Sequence, residues 1–221
     1  MEYGFIFDMD GVIIDTNPYH RISWEKFIRG KGLPYSDKLF NNFLSGQTGE
    51  TSLRALLDED LSDVQIEEYL QEIDGHFRDI FGDAPHVEAF PGVVSFLDAV
   101  CESGIRTGLA TSAPPGNVDL VMERLGIRER FGFILDSTTV SNGKPNPEIY
   151  NNSVQRLGLD NSQCIVFEDS ISGIQSAIAA GLKVVGVTST HTSAELLEEG
   201  VDLVIKDFNG LSKNDIIKLL Q

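Results

Sequence analysis

The sequence predicts an α/β fold in which helices cover a parallel β-sheet and a small helical domain is inserted after the first strand. Two observations carry this prediction. Short, continuously apolar runs occur near residue 5 and through the second half of the chain, where helical patterns separate them. Between residues 16 and 89, by contrast, helical patterns occur without a convincing strand. Strands that alternate with helices form a parallel sheet through right-handed crossovers.

The predicted strands are runs of β-branched, aromatic and aliphatic residues without regular polar alternation. Such runs are typical of strands that are buried on both faces of a sheet. In chain order they are Tyr3–Phe7, Ile105–Ala110, Gly132–Leu135, Cys164–Phe167, Lys183–Val187 and Asp202–Ile205.

Helices are predicted between the later strands, because apolar residues recur there at helical spacing and a glycine follows each pattern. Asn146 is the expected N-cap of the third helix, with Pro147 in its first turn. These helices are Val93–Ser103, Asn117–Leu125, Pro147–Leu157 and Ser172–Ala180.

The interval 16–89 is the predicted inserted domain, and residues 1–15 and 90–221 are the predicted core. Pro91-Gly92 marks the return to the core pattern. The helical patterns of the insertion lie around residues 17–31, 50–58 and 62–81.

The composition limits the possible partners. The chain has 221 residues, of which 41% are hydrophobic, and a formal charge of -17 that repels nucleic acid and anionic membranes. An anionic substrate therefore requires a local positive centre. Cys101 and Cys164 lie in apolar segments and are expected to be reduced core residues. We expect a cytoplasmic protein that is a monomer or a weak oligomer.

Polar side chains follow three of the predicted strands, and in a parallel sheet such strand ends form the ligand crevice. An isolated acid of this kind is commonly a helix cap, but four acids at one edge need a cation, and Mg²⁺ suits carboxylate oxygens. Thr111 and Ser112, taken alone, are also compatible with a capping role. The clusters are Asp8-Met9-Asp10, Thr111-Ser112 and Glu168-Asp169-Ser170.

Lys144 is the candidate positive centre. Lysines in loops are usually solvated. Pro145 and Pro147 restrict the backbone here, and an ammonium beside four acids would pair with a carboxylate and bind a phosphoryl oxygen.

These segments resemble the haloacid dehalogenase superfamily, and specifically its β-phosphoglucomutase-like phosphatase branch. The resemblance spans essentially the whole chain and rests on four motifs in order. They are "DMDGVIIDT", "LATSA", "GKPNPEIY" and "FEDSISGIQSAIAAG".

The resemblance implies a Rossmann-like core with a cap domain and an aspartyl-phosphate mechanism. Asp8 would be the nucleophile, and Asp10 would be the general acid and base. Thr111 would bind the phosphoryl group, and Lys144 would orient Asp8. The implied Mg²⁺ ligands are Asp8, the main-chain carbonyl of Asp10 and Asp169, supported by Glu168.

The helical insertion resembles a cap that opens and closes over the site. Trp24 is expected to pack in the cap core, while His20 resembles a hinge residue that contacts the acid/base aspartate. The substrate-binding residues that the resemblance implies are His20, Gly46, Gln47, Thr48, Ser112 and Asn117.

The leading hypothesis is a Mg²⁺-dependent phosphatase of small phosphorylated metabolites, above all sugar phosphates. β-Phosphoglucomutase is the alternative. Gly49 opposes it, because mutases of this branch carry an arginine there that binds the second phosphate of the intermediate. A receiver-like signalling module, which also groups acids, a hydroxyl and a lysine, is less compatible with the inserted domain and the chain length.

Overall fold

A computed structural model describes residues 2–43, 49–57 and 60–221 of the chain. The chain divides into two compact units. One comprises Met1–Asp15 together with Val87–Gln221, and the other comprises Thr16–His86.

The larger unit contains a parallel sheet, which confirms the predicted α/β class. Within the described residues its strands have the order β3-β2-β1-β4-β5-β6. Each predicted strand is present, with its ends shifted by a residue at most. The strands are β1 (Gly4–Phe7), β2 (Arg106–Ala110), β3 (Phe133–Leu135), β4 (Cys164–Glu168), β5 (Lys183–Val187) and β6 (Leu203–Ile205).

The expectation that every strand is buried on both faces is wrong for the outermost two. All residues of β1 and β4 are buried, but Phe133 and Ile134 of β3 and all of β6 are only partly buried. Strands β3 and β6 lie at the two ends of the sheet, and each has a neighbouring strand on one side. An apolar run therefore does not distinguish a central strand from an edge strand.

Helices α1–α4 form the smaller unit, and the later helices belong to the larger unit. The sequence analysis missed three of them, namely α2, α9 and α10, which are short. Within the described residues no helix has the length and apolarity that a membrane crossing needs. In chain order the helices are α1 (Asn17–Gly30), α2 (Asp37–Phe43), α3 (Gly49–Leu56), α4 (Asp63–Gly82), α5 (Val93–Glu102), α6 (Pro115–Leu125), α7 (Glu148–Leu157), α8 (Ile171–Ala179), α9 (Ser193–Glu198) and α10 (Lys213–Ile217).

Helix α7 begins later than predicted. Its N-cap is Pro147, whereas Asn146 was expected there. The side chain of Asn146 still performs a capping function, because its Oδ1 accepts a hydrogen bond of 3.0 Å from the backbone N–H of Glu148. The prediction was wrong about the position of the N-cap by one residue, but the Asn146 side chain accepts from the first turn as a capping residue does.

The two faces of the sheet bury different side chains. Phe7 of β1 stacks on Phe167 of β4, with ring centroids 4.6 Å apart, and Phe96 of α5 packs edge-on against both rings. On the opposite face Ile6 and Val166 join an aliphatic core supplied largely by α7 and α8. Alternation along each strand therefore separates an aromatic layer from an aliphatic layer.

The smaller unit has its own apolar core. Trp24, Phe27 and Ile28 of α1 pack with Ile66 and Ile73 of α4. Trp24 is 8% exposed, which confirms its predicted packing role.

The expectation for the cysteines is confirmed for one and wrong for the other. Cys164 is buried at the start of β4, and burial raises its pKa to about 11. Cys101 is exposed, because it lies in the last turn of α5 next to Val100, and Val100 occupies the buried side of the helix. Both thiols are free.

The packing of the aromatic layer leads to a prediction about stability. Replacing Phe167 with alanine should lower the free energy of unfolding by about 3–5 kcal/mol, because the substitution leaves a cavity beside Phe7. Urea denaturation measures this change. The matched control is Leu197→Ala, since Leu197 is 57% exposed, and it should change the stability by about 0.5 kcal/mol or less. Equal effects of the two substitutions would contradict the assigned packing.

Candidate active site

The sheet places two carboxylates side by side. Phe7 of β1 pairs with Phe167 of β4, so the next residues, Asp8 and Glu168, lie at the same level of neighbouring strands. Asp8 is 7% exposed and Glu168 is fully buried. Two adjacent anions that are removed from water require a compensating positive charge.

Lys144 supplies that charge. Its Nζ donates hydrogen bonds of 2.7 Å to Asp8 Oδ1 and 2.7 Å to Glu168 Oε1, and one of 3.1 Å to the carbonyl of Ala110. The ammonium also lies 5.1 Å from the ring centroid of Tyr150, within the range of a cation–π interaction. The lysine side chain is 5% exposed, so the interpretation of a solvated loop lysine does not apply.

Both carboxylate oxygens of Glu168 accept hydrogen bonds. Oε1 accepts from Lys144 and, at 2.8 Å, from the hydroxyl of Tyr150. Oε2 accepts from the backbone N–H groups of Asp169 and Ser170 and from the hydroxyl of Ser170. Five donors saturate the two oxygens, which fixes the orientation of this carboxylate.

The ion pairs and burial shift the pKa values in different directions. Burial disfavours the Lys144 ammonium, but the charges of Asp8 and Glu168 outweigh it and raise the lysine pKa well above its usual value. Burial also opposes ionisation of Glu168, yet Lys144 and the hydrogen bonds lower the pKa of this carboxyl. For Asp8, burial and the neighbouring acids outweigh Lys144 and raise its pKa. Glu168 is therefore the fixed anion of the pair.

Asp169 is the third buried acid. Burial and the charge of Glu168 raise its pKa to about 7. Gly11 provides the space for its carboxylate: a Cβ at position 11 would lie 2.0 Å from Asp169 Oδ2. Gly11 also has a φ of 79°, a conformation that favours glycine.

The acids form a set that fits a divalent cation. One oxygen each from Asp8, Glu168 and Asp169 lies within 4.8 Å of the others, and all three residues are buried. Carboxylate oxygens are the ligands that hard cations such as Mg²⁺ prefer. Because Glu168 is already saturated with donors, Asp8 and Asp169 have the oxygens best suited to direct coordination.

Asp10 belongs to a tight turn after β1. The carbonyl of Met9 accepts the N–H of Ile13 at 2.9 Å, and the N–H of Gly11 donates to Ile14 at 2.8 Å. Met9 is buried, whereas Asp10 is half-buried. The turn thus gives the two aspartates different environments, one dry and one in partial contact with solvent.

Thr111, Ser112 and Lys144 line one cavity of about 170 Å³ beside the carboxyl ends of β2 and β3. Thr111 is buried, and its Oγ1 accepts the N–H of Ala113 at 3.1 Å within the loop that precedes α6. Pro114 is the N-cap of that helix, so Thr111 does not have the helix-capping role that the sequence suggested. Asn117 is buried in α6. The substrate-binding roles of Ser112 and Asn117 stay predictions.

The remaining predicted site residues belong to the smaller unit. His20 is half-buried and stacks on Phe77 at 4.4 Å within that unit. Its substrate contact stays a prediction. Gly46, Gln47 and Thr48 lie outside the described residues.

Sequence reasoning missed several residues around the acids. Tyr150 ends the segment "GKPNPEIY" and would have required the helical register of α7 to place it under Lys144. Ser189 and Thr190 follow β5 and contact Asp169. Their position after a strand is the same signal that identified the other clusters, but hydroxyl residues in a loop carry little information alone.

Comparisons with known proteins agree with this architecture. A family model described as haloacid dehalogenase-like hydrolase matches residues 5–187. The chain is 30% identical over 204 residues to validoxylamine A 7'-phosphate phosphatase of Streptomyces hygroscopicus subsp. limoneus, covering 91% of this chain and 92% of that protein. It is 28% identical over 212 residues to β-phosphoglucomutase of Bacillus subtilis, covering 94% and 90%.

A solved structure shows the same fold. It is a haloacid dehalogenase hydrolase of family IA, variant 3, from Entamoeba histolytica HM-1:IMSS. The TM-score is 0.91 at 31% identity, covering 100% of this chain and 99% of that one.

The glycine of α8 makes a prediction about Glu168. A Cβ on Gly173 would lie 1.8 Å from Glu168 Oε1, so Gly173→Ala should displace this carboxylate and destabilise the protein by roughly 1–3 kcal/mol or more. Gly75→Ala in α4 is the matched control, since the nearest atom to its Cβ would be 4.0 Å away, and it should stabilise the helix by about 1 kcal/mol. Thermal denaturation measures both changes. Equal signs would contradict the close packing of Gly173.

Proposed function

The chain belongs to the haloacid dehalogenase-like hydrolase family, and from this membership we propose that it is a Mg²⁺-dependent phosphohydrolase of small phosphorylated sugars. The observation that carries the proposal is the buried Lys144 ammonium between Asp8 and Glu168. A structural ion pair would need one carboxylate. Here the second one, Asp8, has a further oxygen that Lys144 does not bond, at the carboxyl end of the central strand β1.

In the first step, a carboxylate oxygen of Asp8 attacks phosphorus and the bond from phosphorus to the sugar oxygen breaks. The products are an aspartyl-phosphate and the free alcohol. Lys144 keeps the carboxylate in position and offsets its negative charge as it approaches the anionic phosphoryl group. Positioning and charge neutralisation of this kind account for most of the catalysis of phosphoryl transfer.

Asp10 moves the proton in both steps. It donates a proton to the departing sugar oxygen, and then accepts one from the water that attacks the aspartyl-phosphate. A half-buried carboxyl beside a dry site suits this task, because it can exchange protons with solvent between the steps. Inorganic phosphate and regenerated Asp8 complete the cycle.

Asp8 and Asp169 are the proposed Mg²⁺ ligands, with the carbonyl of Asp10 as a third. When bound, the ion supplies positive charge that lowers the repulsion between Asp8 and the phosphoryl group. Glu168 then orients Lys144 and does not coordinate directly, because five donors already occupy its oxygens. Thr111 is the proposed donor to a phosphoryl oxygen.

The proposed substrate class follows from the relatives, one of which is named as a phosphatase of validoxylamine A 7'-phosphate and the other as a β-phosphoglucomutase. The net charge of -17 favours a small ligand that reaches a local cationic site over a polyanion such as nucleic acid.

Hydrolysis and the mutase reaction differ in whether the aspartyl-phosphate transfers its phosphoryl group to water or to a sugar monophosphate, which would form a bisphosphorylated intermediate. Gly49 replaces the mutase arginine, and a Cβ there would lie 2.4 Å from Leu70, so this part of the insertion is packed against glycine. Without that cation, binding of a bisphosphorylated sugar is weaker, which favours transfer of the Asp8 phosphoryl group to water.

Two substitutions test the assigned roles. Asp8→Asn should abolish multiple-turnover phosphate release, because the amide is not a nucleophile. Asp10→Asn should lower kcat by roughly 10²- to 10⁴-fold on a sugar phosphate. On p-nitrophenyl phosphate, whose phenolate leaves without a proton, the first step should be affected much less, so a burst of p-nitrophenolate should remain although hydrolysis of the aspartyl-phosphate is slowed. Phosphate release is measured by a colorimetric assay. A fully active Asp8→Asn protein would exclude the nucleophile assignment.

A partition assay separates the two reactions. With β-glucose 1-phosphate and a catalytic amount of glucose bisphosphate, the proposal predicts free phosphate as the main product. Coupled measurement of glucose 6-phosphate provides the comparison. Sustained glucose 6-phosphate formation with little free phosphate would establish the mutase instead.

A further inference from the structure

We propose that Thr190 is a positioning residue for the cation site, because it fixes the Asp169 carboxylate so that one oxygen faces the metal. This inference rests on the proposed function. It concerns the loop after β5, residues 189–191, which carries none of the motifs by which the family was identified.

The loop reaches the site through two hydroxyl groups. Ser189 Oγ lies 2.6 Å from the carbonyl of Gly11 and 3.1 Å from Asp169 Oδ2. Thr190 Oγ1 lies 2.6 Å from Asp169 Oδ2 and 3.0 Å from the carbonyl of Asp169. Each hydroxyl has one hydrogen to donate. The shorter distances assign the Ser189 hydrogen to Gly11 and the Thr190 hydrogen to Asp169 Oδ2.

His191 supports this assignment. Its Nδ1 lies 3.1 Å from the carbonyl of Asp169 and 3.0 Å from Thr190 Oγ1. In the tautomer with the proton on Nδ1, the ring N–H faces both Thr190 Oγ1 and the Asp169 carbonyl, and Nδ1 does not accept the Thr190 hydrogen. That hydrogen then remains directed at Asp169 Oδ2, its nearest acceptor. The loop thereby binds both the backbone and the side chain of Asp169.

The Asp169 carboxylate also lies close to Gly11. A Cβ there would lie 2.0 Å from Oδ2 and 2.8 Å from Oδ1, so the group lies directly against the glycine. In the part of the chain that the structure describes, both hydroxyl groups that contact the Asp169 carboxylate lie against Oδ2. Oδ1 is therefore the oxygen left for a cation.

Fixing one oxygen matters because a freely rotating carboxylate loses entropy when it coordinates. Residues that hydrogen-bond a metal ligand orient it before the ion arrives, and their loss typically weakens metal affinity by about 10- to 100-fold. Thr190 meets this description more closely than Ser189, because its contact with Oδ2 is shorter and Ser189 has the nearer acceptor in Gly11.

The test measures divalent-cation affinity directly, with Mn²⁺ as the probe and electron paramagnetic resonance of the free ion as the readout. Thr190→Val removes the hydroxyl at nearly constant volume, and we expect its Mn²⁺ affinity to fall roughly 10- to 100-fold. Thr190→Ser restores a hydroxyl and should bind as the wild type does. Thr139→Val is the matched control, since the Thr139 hydroxyl donates to the carbonyl of Asp136 and not to Asp169.

Turnover provides a second readout. If Thr190 acts through the cation site, the activity of Thr190→Val should approach that of the wild type at saturating Mg²⁺, with an unchanged KM for the sugar phosphate. A purely structural defect would not be corrected by Mg²⁺.

The outcomes separate the two proposals. Wild-type Mn²⁺ affinity in Thr190→Val, or equally weak binding in Thr190→Ser, would overturn the positioning role and leave the phosphohydrolase proposal intact. Absence of Mn²⁺ binding to the wild-type protein would overturn both.

Discussion

The rest of the site depends on the ammonium of Lys144, which lies between the carboxylates of Asp8 and Glu168. Transfer of a charged group from water into a protein interior costs several kcal/mol per ion unless it is paired and hydrogen-bonded. The two acids differ in the number of hydrogen-bond donors that compensate for this desolvation cost. Glu168 accepts from five donors, whereas within the described residues Lys144 is the side-chain donor to Asp8. Glu168 therefore anchors the lysine, and Asp8 retains an oxygen that Lys144 does not bond.

The sheet and two glycines make this arrangement possible. The parallel register aligns Asp8 with Glu168, and strand alternation directs both toward the face covered by α7, where Tyr150 and the aliphatic core lie. Gly173 provides space for Glu168, and Gly11 does so for Asp169. The carboxylates of Glu168 and Asp169 can lie this close to the backbone because positions 173 and 11 are glycines, which have no side chain. The same feature explains why conservative changes at these glycines should act on the acids and not only on the backbone.

The sequence predicts the strands and the central acids well, since both depend on local patterns. A continuous apolar run that ends at Asp8 predicts both the strand and the position of the buried carboxylate that follows it. Residues whose role depends on distant packing are less accessible. Thr190, after β5, contacts Asp169, which follows the neighbouring strand β4. Ser189 contacts Gly11, which is 178 positions away in the chain. The exposure of Cys101 likewise depends on which side of α5 faces the core, which a short apolar segment does not specify.

Chemical trapping of the aspartyl-phosphate tests the central claim most directly. Borohydride reduces an acyl phosphate to the alcohol, so quenching the enzyme during turnover of a sugar phosphate should convert Asp8 to homoserine. Peptide mass spectrometry locates the product. The account predicts homoserine at position 8 that is absent without substrate and absent in Asp8→Asn. Rapid turnover without modification of position 8, or modification at another carboxylate, would contradict it.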